Sequence, residues 1–156
     1  MALGEYRDVL ATDINFIADT AMERGGLAFA ASGNIVSYPT TITASGSTPV
    51  GILLEDIEDL NFMKQPQYFQ RNVSDIGSKV GIMTKGQCVT DFIDGYAKVH
   101  IDAGDKAYAT HSGLLTIRAL APGIVSAAGG SGVGLEVGRF LSSIDSNGFV
   151  KVYIDI

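Results

Sequence analysis

Alternating apolar and polar positions dominate the last twenty residues of the chain, 137–156. Every second residue from 150 to 156 is Val or Ile, the period of two that gives a β-strand one buried and one wetter face. The tetrapeptide Asp-Ser-Asn-Gly at 145–148 precedes this run and is typical of a tight turn. The pattern predicts a C-terminal β-hairpin that reaches the last residue. The side chains predicted to close the core are Val150, Val152, Ile154 and Ile156.

Short apolar runs separated by turn residues continue this pattern through the rest of the second half. They lie at 79–83, 87–93, 97–101, 107–110 and 114–119. Such spacing is typical of an all-β barrel or sandwich. We therefore predict a mainly β fold, a small barrel or sandwich of short antiparallel strands with at most one or two short helices. The run at 97–101 is expected to be a strand that carries His100.

The pattern in the first half of the chain predicts its secondary structure less clearly. Residues 5–24 place Leu10, Ile14 and Ile17 at helical spacing, yet the same residues suit a strand in an extended arm. We favour an extended N-terminal arm over residues 1–24, followed by a single β-rich body domain over residues 25–156. Residues 50–54 predict a buried strand, followed by an acidic turn or a short helix.

Composition narrows the range of partners. The chain has a net charge of −6, with 17 acidic against 11 basic residues, which argues against a nucleic-acid surface. No uncharged apolar run approaches the roughly 18 residues of a membrane span, and the first ten residues do not resemble a secretory signal. Because 46% of the residues are hydrophobic, apolar side chains must fill a core or contact partner proteins.

The search for catalytic or ligand-binding chemistry finds no candidate site. The acidic run Glu55, Asp56, Glu58 and Asp59 lacks calcium-loop spacing, and its adjacent side chains diverge, so it predicts a solvated face. Two histidines, His100 and His111, and the single cysteine, Cys88, do not make a metal site or a triad. We expect no catalytic residue, no metal and no cofactor, and we expect Cys88 to be packed and inert.

Several segments spread along the chain carry a family resemblance. In order, they are Gly4-Glu5-Tyr6-Arg7, Arg24-Gly25-Gly26, VGILLEDI (50–57), GSKVGIM (77–83), Lys85-Gly86, GDKAY (104–108) and residues 137–156. Together they resemble the capsid decoration, or cement, proteins of tailed bacteriophages. The resemblance implies a small β-barrel-like body on the outer surface of an expanded head, with an N-terminal arm reaching over neighbouring major capsid subunits. It implies synthesis in the host cytoplasm and a final location in the virion.

The expected partners are therefore the major capsid protein and further copies of the chain, with a homotrimer favoured over a homodimer. Nucleic acid and membrane are not expected partners. Two alternatives stay open: another phage structural module of tail, baseplate or fibre base, and an enzyme or ligand-carrier β-domain whose site is dispersed in sequence. The candidate capsid-binding residues are Tyr6, Arg7, Ile14, Phe16 and Ile17. The candidate subunit contacts are Phe149 and Tyr153.

Overall fold

The computed structural model of the chain describes residues 3–37, 48–59, 73–110, 113–118 and 135–156, with the backbone alone at 3–6, 31 and 32. These residues are mainly strand, which confirms the predicted all-β class. The elements are β1 (Leu3–Asp13), β2 (Ile17–Ala18), β3 (Leu27–Ser32), β4 (Ile35–Ser37), β5 (Thr48–Leu53), β6 (Asp56–Glu58), β7 (Val73–Asp75), β8 (Ile82–Thr90), α1 (Ala97–His100), β9 (Lys106–Ala109), β10 (Leu115–Thr116), β11 (Glu136–Phe140) and β12 (Val150–Asp155).

The larger of the two sheets is organised around β8. Along one edge β8 pairs with β1, from Ile82 opposite Asp13 to Thr90 opposite Leu3. The opposite edge is shared by two strands, β12 from Lys85 onwards and β5 at the first two residues. From β12 the sheet continues through β11 and β9 to β10, and from β5 through β3 and β4 to β2. Strand β8 is therefore where the two halves of the sheet meet. Strands β6 and β7 form a separate parallel pair.

Two hydrophobic cores lie on opposite faces of this sheet. On β3, Leu27 belongs to the larger core and Ala28 to the smaller one; on β5, Ile52 and Leu53 divide in the same way. Consecutive strand residues point to opposite faces, and all four are fully buried, so this part of the sheet is covered on both sides. The run 50–54 was therefore correctly predicted as a buried strand. It is followed by the short strand β6, and its continuation from residue 60 lies outside the described residues.

The N-terminal segment is extended and not helical in the described residues. Strand β1 runs antiparallel to β8, and β2 pairs in parallel with β4. The helical spacing of its apolar residues therefore does not reflect a helix. Whether residues 1–24 act as an arm separate from the body stays a prediction.

The C-terminal hairpin forms as predicted, with one exception. Strands β11 and β12 are antiparallel, and Val150, Val152 and Ile154 are buried in the larger core. Ile156, which was expected to be in the core, is 45% exposed, so that prediction is wrong. Strand pairing ends at Asp155, and the backbone N–H of Ile156 donates a hydrogen bond to the carbonyl oxygen of Thr84. Its side chain therefore lies beyond the last strand pair, where alternation no longer ensures burial.

The turn of this hairpin is built by Asp145. Its Oδ1 accepts hydrogen bonds from the backbone N–H groups of Asn147 (2.9 Å) and Phe149 (2.8 Å). Gly148 adopts φ +88, which favours glycine. The Asp-Ser-Asn-Gly sequence thus folds through side-chain-to-backbone bonds, as an Asx-type turn does.

The prediction of a strand over residues 97–101 is wrong. Residues 97–100 form helix α1, in which Ala97 is fully buried and Ile101, just after it, is 5% exposed. A spacing of four places these two residues on one helical face, against the larger core, and leaves Lys98, Val99 and His100 exposed. In a five-residue segment with apolar ends, the two end residues share one face in a helix and in a strand alike. The local pattern therefore did not distinguish a helix from a strand.

Gly138 provides a test of how closely β11 and β12 pack. A Cβ at this position would stand 1.9 Å from the carbonyl oxygen of Tyr153. We expect Gly138→Ala to force the two strands apart and to lower the free energy of unfolding by about 3 kcal/mol in urea titrations. The matched control is Gly95→Ala, where nothing lies within 4 Å. Equal effects of the two substitutions would contradict this packing.

Candidate interaction surfaces

Strand β1 is an edge strand with exposed side chains. Among the described residues its backbone pairs with β8 alone. Arg7, Asp8 and Leu10 are exposed, whereas Val9 is half-buried and packs against the larger core. The strand is therefore held mainly by backbone hydrogen bonds, and no second described strand pairs with its other edge. Register shifts at three places along β1 interrupt that edge, a feature that limits unspecific strand pairing.

The predicted capsid-binding residues are distributed between the surface and the core. Arg7 is exposed on β1, and Ile14 and Ile17 are 61% and 37% exposed. Phe16 is half-buried and packs against the smaller core, so it anchors the segment between β1 and β2. The side chain of Tyr6 lies outside the described residues. The structure therefore leaves two isoleucines and one arginine of the predicted set open to a partner.

Two further apolar residues extend this surface. Leu10 is 59% exposed, and Ile35 is 38% exposed beside Ile17, its partner in the parallel β2–β4 pair. We call Leu10, Ile14, Ile17 and Ile35 the N-terminal apolar strip. Consecutive members are no more than four residues apart or are paired across strands, so each lies within about 14 Å of the next. Ile35 was not predicted as part of this surface, because the pairing of β2 with β4 cannot be recognised from the local sequence.

The predicted subunit-contact residues lie on the C-terminal hairpin. Phe149 and Tyr153 are both half-buried. Tyr153 lies between Arg139 on β11 and Gln87 on β8. Part of each aromatic ring surface is thus already covered by the chain itself. Their role in subunit contact stays a prediction.

A third surface surrounds helix α1. Val99 is 78% exposed and Tyr96 42%. The guanidinium carbon of Arg118 lies 3.3 Å from the centroid of the Tyr96 ring, and the His100 ring lies 4.6 Å from it on centroids. We call Tyr96, Lys98, Val99, His100 and Arg118 the α1 patch. It combines an exposed aliphatic side chain with an aromatic ring and basic groups, a composition typical of interface centres.

The acidic run after β5 is only partly solvated. Glu55 accepts a short hydrogen bond from Ser74, and Asp56 pairs with Arg24 at 3.5 Å, while Glu58 and Asp59 are exposed. Beside them lies a groove of about 480 Å³ that we call the acidic groove. Its lining residues are Ala21, Met22, Glu23, Asp56, Ile57, Glu58 and Phe92.

The described residues contain no group of three His, Cys, Asp or Glu side chains that could hold a metal ion. His100 is exposed on α1 beside Tyr96, and His111 lies outside the described residues. No helix in the described ranges has the length and apolarity that a membrane crossing needs.

Two surface ion pairs fasten neighbouring strands of the sheet. Lys85 pairs with Asp155 at 3.1 Å and Lys106 with Glu136 at 2.8 Å. Hydrogen bonding to the carboxylate raises the pKa of each lysine above its ordinary 10.5. Whatever stability this adds is fully present below that value and is lost as the pH rises through the raised pKa. These pairs do not act as a switch near neutral pH.

Comparison with models of known protein families finds no match to this chain, and comparison with curated proteins finds none either. The resemblance to decoration proteins stays a prediction from the sequence.

Cys88 reports on the larger core, to which it belongs. The residue is 1% exposed, and burial raises the pKa of its thiol to about 12. We expect a disulfide reagent such as Ellman's to label Cys88 slowly in the native protein near pH 8 and rapidly in denaturant. Because the folded state disfavours the thiolate, stability should also fall as the pH rises above about 9, the ordinary thiol value. Rapid native labelling would contradict this burial.

Proposed function

We propose that the protein is a capsid decoration protein that binds the outer surface of an expanded phage head and stabilises it through protein–protein contacts. The sequence resemblance to this class supports the proposal, as does a β-rich body with two packed cores. A decoration protein requires a rigid body and exposed contact surfaces; it has no need of an acid–base pair or a metal. Its binding to an assembled lattice stabilises that lattice by mass action.

The observation that carries the proposal is the N-terminal apolar strip. Three of its four members lie within residues 10–17, inside the segment that the resemblance identifies as the capsid-binding arm. Leu10 and Ile14 each expose more than half of their surface. Burying that surface against a capsid subunit would contribute about 1 kcal/mol per side chain. One such contact is weak, but a shell repeats it at every symmetry-related position.

The backbone of β1 supplies the second element of the contact. Its outer edge offers N–H and C=O groups to an extended segment of a partner, which would bind by strand addition. Arg7, exposed on the same strand, can pair with a carboxylate of that partner. In this mode the backbone groups provide affinity and the strip and Arg7 provide selectivity.

Paired point substitutions test the role of the strip. We expect the double variant Leu10→Asp/Ile14→Asp to fold normally, because both side chains are exposed, and to bind expanded heads at least about tenfold more weakly in co-sedimentation. The heads should also lose their protection against heat. Removal of residues 1–24 is a less selective test, since it also uncovers one edge of β8.

The control is Leu135→Asp, a comparable exposed leucine next to β11, which should bind heads as the unmodified protein does. If the double variant decorates and protects heads as well as this control, the strip is not the capsid contact and the proposal fails in that form.

A further inference from the structure

The α1 patch presents an exposed aliphatic side chain beside basic groups. Val99, at 78% exposed, is the most exposed of the large hydrophobic residues in the described part of the chain. Lys98 and His100 flank it on the same helix, with no acidic residue in the first turn. Arg118 is stacked on Tyr96, which holds the guanidinium plane against the ring. No carboxylate among the described residues pairs with Lys98 or Arg118.

The acidic groove has the complementary features. Met22 and Ile57 are buried at its floor, and the Phe92 side chain adds a half-buried apolar wall. Exposed Glu58 provides a carboxylate at its rim. Asp56 is paired with Arg24, and Glu23 also interacts within its own chain. The groove therefore offers an apolar floor for an aliphatic side chain and the Glu58 carboxylate for a basic group beside it.

We propose that these two surfaces bind each other between copies of the chain: the α1 patch of one subunit docks into the acidic groove of a second. Val99 would lie against Met22 and Phe92, with Lys98 facing the Glu58 carboxylate and Arg118 beside it. A second copy is the occupant because one chain carries both halves of the contact, apolar to apolar and basic to acidic. Desolvation of Val99 supplies affinity, and the charges select the orientation.

The proposed contact joins two different surfaces, and each subunit carries both. Two copies can exchange the contact reciprocally about a twofold axis, and a rotation that closes gives a ring instead. Phe92 and Tyr96 are four residues apart, so the groove and the patch begin within about 14 Å of each other. This contact rests on the proposed function, to which it adds an oligomer. Phage heads are not needed to test it.

The first test is the mass of the purified protein by sedimentation velocity over a concentration series. We expect the unmodified chain to form an oligomer, and Val99→Asp to raise its dissociation constant at least about tenfold. Because Val99 is exposed, the variant should keep its fold, which circular dichroism and thermal melting check. The control is Lys151→Glu, an exposed lysine on β12 that belongs to neither surface, and it should assemble as the unmodified chain does.

A charge exchange tests the pairing itself. Lys98→Glu and Glu58→Lys should each weaken assembly at low salt, because each creates a like-charge contact. The double variant carries both reversals on one chain and should recover assembly, since opposite charges again face each other between copies. Recovery would not follow from a merely structural role of either residue.

A monomer at every concentration, or an oligomer that Val99→Asp leaves intact, overturns the inference, as does a charge-exchange variant no better than the single variants. These outcomes are separate from decoration. If Val99→Asp is monomeric and still binds heads, the proposed function stands, and this contact is the one that holds the subunits of the oligomer together. If the unmodified chain forms this oligomer but does not bind heads, the proposed function fails alone.

Discussion

The pairing of both edges of β8 is the constraint on which the rest of the molecule depends. Backbone N–H and C=O groups inside a sheet need hydrogen-bond partners, and β8 pairs along both edges, with β1 on one side and with β12 and β5 on the other. Because two strands share one of its edges, β8 joins the C-terminal half of the sheet to the half built from β3, β4 and β5. Both hydrophobic cores include residues of β8.

This arrangement explains why the candidate surfaces lie at the periphery. Strand β1 pairs with the remaining edge of β8, and most of its described side chains are exposed. The N-terminal apolar strip and the α1 patch lie outside the two buried clusters and expose apolar side chains. Under the proposed function, these are the surfaces that assembly would bury.

The features that the sequence predicted correctly are those set by residues close together along the chain. The alternation of β12 and the Asp145 turn are local, and both are present in the structure. Helix α1 was mistaken for a strand because tertiary packing of Ala97 and Ile101, and not propensity, decides so short a segment. The error at Ile156 arose because alternation does not indicate where neighbouring strands end.

Long-range pairing accounts for what the sequence could not predict. The β1–β8 pair joins residues more than sixty positions apart, and the β2–β4 pair brings Ile35 beside Ile17. The acidic groove likewise needs Met22, Ile57 and Phe92 to meet. Each of these residues looks ordinary in its own segment, and the surface exists only once the sheet has formed.

Electron cryo-microscopy of expanded heads mixed with the purified protein tests the central claim most directly. The account predicts added density on the outer surface at symmetry-related positions, fitted by the β-rich body, with the N-terminal apolar strip against a major capsid subunit. Heads that remain bare while the protein stays unbound, or density in which the strip faces solvent, would contradict it.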